Sequence, residues 1–149
     1  MSEMITVVCL AKEHLGAVAE IERLCFSEPW SEKSLELLLS PDAVGYVALC
    51  CGVVVAYGGM LWAPDEGQIT NVAVHPDHRR LGLGRAVLEA LLAEARTRGA
   101  VQVSLEARES NAAAIALYTH AGFTVAGRRK RFYRDPAEDA LVMLKDLAP

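Results

Sequence analysis

The stretch Val72-Ala73-Val74-His75-Pro76-Asp77-His78-Arg79-Arg80-Leu81-Gly82-Leu83-Gly84-Arg85 decides how the rest of the chain is read. An uncharged strand runs into a loop with two adjacent arginines and two glycines, and the loop opens directly into a helix. Successive backbone N–H groups at a helix start form a cradle for anions, reinforced by the helix dipole. Glycine at 82 and 84 lets a pyrophosphate approach the main chain without a Cβ in the way. Arg79, Arg80 and Arg85 add positive charge nearby. The plainer reading is a flexible basic connection whose glycines serve only the turn. Other phosphate motifs fit worse. No Gly-Lys-Ser/Thr triplet occurs, and a dinucleotide fingerprint would need glycine at 87, where Val87 stands.

Working outward, residues 85–98 form the most secure helix, with Val87, Leu88, Leu91, Leu92 and Ala95 on one face and Gly99 just past its end. Before the loop, residues 68–74 read as a strand, and residues 44–49 and 53–62 as a hairpin turning at Cys51-Gly52. Residues 4–10 give a first strand. Residues 12–25 give a helix with Leu15, Val18, Ile21, Leu24 and Cys25 as its apolar stripe. Ser31 is a good N-cap for a short helix over residues 32–39, and Trp30 can staple onto Leu35. After the central helix come a strand over 101–107, a helix of small residues over 111–120, and strands near 123–134 and 140–144. Hairpins mixed with one helical crossover predict an α+β, or mixed α/β, sheet fold in a single domain spanning residues 1–149.

Composition narrows the function classes. With 149 residues, 52% hydrophobic and 23% charged, the chain fits a globular domain of ordinary size. A net charge of -4 argues against nucleic acid as a direct partner, since phosphate binding needs a basic face. Arg128-Arg129-Lys130-Arg131 with Arg134 is read as a solvated strand edge. Residues 43–62 carry no charge, but Gly45, Gly52, Gly58 and Gly59 and the abundance of valine favour two buried strands over a membrane span. The start of the chain lacks the pattern of an export signal, so Cys9, Cys25, Cys50 and Cys51 are expected to be reduced thiols in a cytoplasmic protein, the last three in the core. Cysteine and histidine spacings give no metal site.

Arg79-Arg80-Leu81-Gly82-Leu83-Gly84 resembles the Q/R-x-x-G-x-G/A signature of the GNAT superfamily of N-acetyltransferases. The resemblance continues through Leu105-Glu106-Ala107-Arg108, through Ser110-Asn111 to Leu117-Tyr118, and through Gly122-Phe123. Phe26, Trp30-Ser31 and Glu138-Asp139-Ala140 are similar to the bacterial subfamily that acetylates the N-terminal alanine of a small-subunit ribosomal protein. The resemblance implies a mostly antiparallel mixed sheet, splayed between strands 4 and 5 and flanked by four helices. It implies acetyl-CoA as co-substrate, with its pantetheine arm on the main chain of Val72, Ala73 and Val74. Its pyrophosphate is expected on the loop of Arg79, Arg80, Leu81, Gly82, Leu83, Gly84 and Arg85, and Asn111 and Tyr118 are expected to touch the cofactor as well.

It further implies Glu106 as proton acceptor and Tyr118 as proton donor, in direct transfer to a protein N-terminus. Read from position alone, Glu106 is as easily a solvated carboxylate or a partner of Arg108, and Tyr118 a packed helix residue. The acceptor is expected against Glu28, Trp30, Arg131 and Tyr133. The rivals are transfer to a small amine, polyamine or lysine side chain, and a non-catalytic acyl-CoA sensor. A monomer or weak dimer is expected, with no membrane partner.

Overall fold

Alternating apolar residues and short turns resolve into seven strands, with helical segments filling the longer connections. The strands are Ile5–Cys9 (β1), Ala43–Cys50 (β2), Val53–Ala63 (β3), Glu66–Val74 (β4), Gln102–Arg108 (β5), Thr124–Tyr133 (β6) and Glu138–Asp146 (β7). The helices are Leu15–Cys25 (α1), Glu32–Leu35 (α2), Leu83–Thr97 (α3) and Ala112–His120 (α4). This is a computed structural model, and it describes residues 4–147. One mixed sheet runs in the order β1-β2-β3-β4-β5-β7-β6, and β4–β5 is its parallel pair. That pair requires a crossover, which α3 supplies.

Neighbouring strand residues point to opposite faces, so the sheet buries two layers. Ala48 and Ala56 face α3, whose Val87, Leu88, Leu91 and Leu92 join one apolar cluster with Tyr118 and Phe123. Val47 and Tyr57 face α1 and Leu35 in a second cluster. The uncharged segment over residues 43–62 is therefore two strands buried between helices, and no helix among the described residues is long and apolar enough to cross a membrane.

Several boundaries differ from the sequence expectation for identifiable reasons. Residues 12–14 form a 3₁₀ turn ahead of α1, and the short helix after Ser31 tightens to 3₁₀ from Glu36 to Leu39. Ser31 caps it as expected, its hydroxyl accepting from the Ser34 N–H at 3.1 Å. Helix α3 begins at Leu83 rather than residue 85, because Gly82 takes the left-handed conformation (φ 76°) and serves as its N-cap. Cys51 is exposed, sitting at positive φ in the β2–β3 turn, and so is not a core thiol.

The sheet is uneven at its centre. Strands β4 and β5 pair only from Glu66↔Gln102 to Gln68↔Ser104. The β3–β4 register then shifts between Met60↔Ile69 and Gly59↔Asn71, leaving Thr70 as an extra residue. Such a bulge bends its strand, and beyond it β4 turns away from β5. The expected splay is present.

Close approach of α3 to the sheet depends on Gly58, where an added Cβ would lie 2.6 Å from Val87 Cγ1 and 3.0 Å from Leu91 Cδ1. Gly58→Ala is predicted to cost about 1–3 kcal/mol in urea unfolding, the usual range for overpacking. Gly127→Ala, whose Cβ would meet nothing within 4 Å, is the matched control and is predicted to change stability by less than about 0.5 kcal/mol.

Candidate active site

The splay opens a cleft of about 610 Å³ between β4 and β5. Strand β4 lines it with Asn71 and Val72, β5 with Glu106 and Arg108, and α4 with Asn111 and Tyr118. The connection between α1 and α2 adds Ser27, Glu28 and Trp30, and the end of β6 adds Phe132 and Tyr133. Residues two apart on a strand share a face, which is how Glu106 and Arg108 both reach the cleft. Asn111 caps α4, its side chain accepting from the Ala114 N–H at 3.1 Å, and Tyr118 follows two helical turns later on the same face.

The cleft is rich in charge, but the charges are paired. Glu106 faces Arg129, with Nε 3.4 Å from Oε1. Its partner is thus Arg129 on β6, and Arg108 binds elsewhere. Tyr118 is 5% exposed. Burial, with a smaller effect from Tyr133, pushes its phenol well above the ordinary range, so the hydroxyl stays protonated at neutral pH. Among the described residues that hydroxyl makes no hydrogen bond. Tyr133 is pushed up to about 12, first by burial and then by Glu106.

The glycine loop lies at one end of this cleft without lining it. Its link is Gly84, whose missing Cβ would sit 3.4 Å from Leu117 Cδ2 and 3.5 Å from Val74 Cγ2, so the start of α3 faces both α4 and β4. Arg80 stands at positive φ (66°) beside Gly82 and forms no ion pair among the described residues. Arg85 is held by Glu89 at 2.7 Å. Arg79 reaches back to the Val74 carbonyl and to Cys25 Sγ, both at 3.5 Å. Cys25 is accordingly a half-buried cleft residue rather than a core thiol.

Two expected site residues are placed differently. The His75 N–H donates to Val55 on β3, and a trans peptide sets the Val74 carbonyl in the opposite direction, toward the gap. By alternation the main chain of Val72 faces the gap too, whereas that of Ala73 faces β3 and its side chain is buried. Ala73 belongs to the sheet. Arg131 is exposed at positive φ, its N–H held by Asp139 at 2.9 Å, and it does not line the cleft.

Comparison with known proteins matches residues 15–123 to the model of the acetyltransferase (GNAT) family. The chain belongs to the acetyltransferase (GNAT) family. It is 39% identical over 142 residues to the ribosomal protein bS18-alanine N-acetyltransferase of Escherichia coli strain K12, covering 94% of this chain and 96% of that one. The crystal structure of the ribosomal-protein-S18-alanine N-acetyltransferase from Escherichia coli superposes with a TM-score of 0.90 at 37% identity, covering 98% of this chain and 96% of that one. A putative acetyltransferase from Salmonella typhimurium, solved with its cofactor acetyl-CoA, superposes with a TM-score of 0.82 at 25% identity, covering 97% and 94% of the two chains.

Behind the wall of this GNAT cleft lies a residue that the sequence reading passed over. Glu22 on α1 is fully buried. Its Oε1 accepts from the Trp30 N–H at 2.7 Å, and its Oε2 from the Tyr57 hydroxyl at 2.5 Å and from Asn71 Nδ2 at 3.1 Å. One carboxylate thereby joins the α1–α2 connection, β3 and the strand beside the bulge. Desolvation raises its pKa above the ordinary 4.5, and the hydrogen bonds only partly offset this. The folded state then holds the Glu22 proton more tightly than the unfolded chain. This contribution to stability is present at acid pH and is lost as pH rises through the folded-state pKa. Glu22→Gln is predicted to remove that component, so the wild-type minus variant stability, measured by urea unfolding across pH, should fall as pH rises above about 4.5. A difference that is flat or rises with pH contradicts it.

Proposed function

We propose that the protein moves the acetyl group of acetyl-CoA to the α-amine of a protein N-terminus, the acceptor being an N-terminal alanine of a small-subunit ribosomal protein. The observation that carries this reading is the 39% identity over nearly the full length of both chains to an enzyme named for that acceptor. The meeting of Glu106 and Tyr118 in one cleft supports it. We assign the whole chain to one acetyltransferase domain acting in the cytoplasm, where ribosomal proteins and acetyl-CoA meet.

The cleft fits the cofactor's chemistry. Its amide-rich arm suits the gap-facing main chain of Val72 and Val74, and its phosphates suit the amides at the start of α3 with Arg79 and Arg80 beside them. Acetyl-CoA, when bound, supplies an already activated thioester. The residues then have to manage two protons. An α-amine titrates near 8, so part of it is already neutral near pH 7, and the Glu106 carboxylate takes the proton that the nitrogen sheds as the amide bond forms. The Tyr118 hydroxyl, protonated and without a partner, is disposed to donate to the departing thiolate. Glu28, Trp30 and Tyr133 form the opposite side, where the acceptor peptide enters. Arg131 lies outside this set.

Tyr118→Phe is predicted to lower kcat by about 10²–10⁴-fold, the usual worth of a general acid. Because the hydroxyl makes no bond in the fold, melting temperature and acetyl-CoA affinity should stay near wild type. Near-normal turnover would mean that Tyr118 only packs. Mass spectrometry of an alanine-starting peptide against a matched peptide with a blocked N-terminus and an internal lysine tests the acceptor. Acetylation should require the free N-terminus, and equal labelling of the lysine would overturn the assignment.

A further inference from the structure

Arg108 is absent from the reaction outlined above, yet its guanidinium touches more of the acceptor side than any residue assigned there. Nη1 donates to the Pro136 carbonyl at 2.9 Å and to Glu138 Oε1 at 3.2 Å. Nη2 donates to the Arg134 carbonyl at 2.8 Å and to Ser27 Oγ at 3.3 Å. Glu28 Oε1 lies 3.8 Å away, and the Tyr133 ring centroid is 4.4 Å from Cζ. These partners lie on two separate connections, α1–α2 and β6–β7, and on the strand ends Tyr133 and Glu138 that bound the second. The connections also meet directly, through the Arg134 N–H donating to Glu28 at 2.8 Å. The knot reaches α4 as well, because Glu138 Oε2 accepts at 2.6 Å from the N–H of Ser110, which precedes the Asn111 cap.

We propose that Arg108 is a positioning residue that ties both acceptor-side connections to each other and to the start of α4. The inference rests on the acceptor lying between those connections, as proposed above. Arg108 stands two residues from Glu106 on one face of β5, so the knot fixes the acceptor walls in register with the proposed proton acceptor. The planar fork is what makes this possible. It offers several donors in fixed directions, at 21% side-chain exposure, where a lysine presents one point charge on a flexible stem. Glu28 is drawn into the same knot, so its carboxylate shapes the entrance as well as bordering it.

The test is Arg108→Lys in the full chain, read by steady-state kinetics and by amide hydrogen exchange. The expected result is a rise of about tenfold or more in KM for an alanine-starting peptide, as loss of charge-assisted bonds implies. The acetyl-CoA KM and the kcat at saturating peptide should stay within about threefold of wild type. In the protein without substrates, amides of residues 27, 28, 30, 110, 134, 135, 137 and 138 should all exchange faster, with residues 88–92 of α3 unchanged. Ser27→Ala, which removes one bond on an exposed connection, should shift the same amides by less. Loosening of only one connection, or of neither, overturns the proposal. So does a kcat loss with unchanged peptide KM. If Arg108→Lys loses protection throughout, the Ser27→Ala exchange pattern decides. If the wild-type protein acetylates no N-terminal peptide, the acceptor assignment falls, while the exchange pattern still decides whether Arg108 ties the connections.

Discussion

The three-residue pairing of β4 with β5 is the constraint on which the rest of the structure depends. A parallel pair broken off so early leaves peptide groups on both strands without ladder partners, and such groups need partners from somewhere. Each strand is held open from its far side. Strand β5 pairs with β7 along its whole length, from Gln102↔Asp146 to Arg108↔Ala140. Strand β4 pairs with β3 on both sides of the Thr70 bulge and carries α3 across its face. The gap is therefore a feature of a rigid frame, and its free strand edges suit a ligand with amides of its own. The Val74 carbonyl is already engaged, accepting from Cys25 Sγ at 3.4 Å and from Arg79 Nε at 3.5 Å.

Charge is organised around the same gap. The basic run on β6, read from the sequence as a solvated strand edge, is largely answered from within. Arg128 meets Glu109 at 2.7 Å and Asp139 at 3.3 Å, and Arg129 meets Glu106. Hydrogen bonds from Ser110 to Glu138 and from Arg131 to Asp139 hold both carboxyls below their usual range. β6 is an edge strand exposed nearly throughout, and its charges blunt that edge against pairing with another chain.

Much of this was legible in the sequence because it follows from local rules. The strand–loop–helix around Gly82, the cap at Ser31, the turn at Cys51-Gly52 and the stop at Gly99 each need one residue type in one conformation. What failed was arithmetic around α1. At 100° per residue, Leu24 falls well off the stripe set by Leu15, Val18, Ile21 and Cys25, and Glu22 falls on it. Leu24 is 48% exposed while Glu22 is buried. An acid on an apolar stripe was the available signal for the buried network. The Arg108 knot had no such signal, since its partners lie up to 81 residues away in the chain and half of its hydrogen bonds go to backbone carbonyls.

The two carboxylates near the cleft show why residue type alone could not assign roles. Glu22 is sealed, with three donors converging on its oxygens from α2's approach, β3 and β4. Its oxygens already serve three donors inside a desolvated wall, so Glu22 is suited to holding structure. Glu106 is half-buried, with one arginine at 3.4 Å and its remaining lone pairs open to the cleft. An amine can approach it without breaking anything else. Arg129, on the exposed edge strand, can move with the carboxylate as its charge changes. The difference between scaffold and proposed base thus lies in how many donors each carboxylate already serves. That count is set by the splay, which leaves one acid walled in behind β4 and the other facing open space on β5.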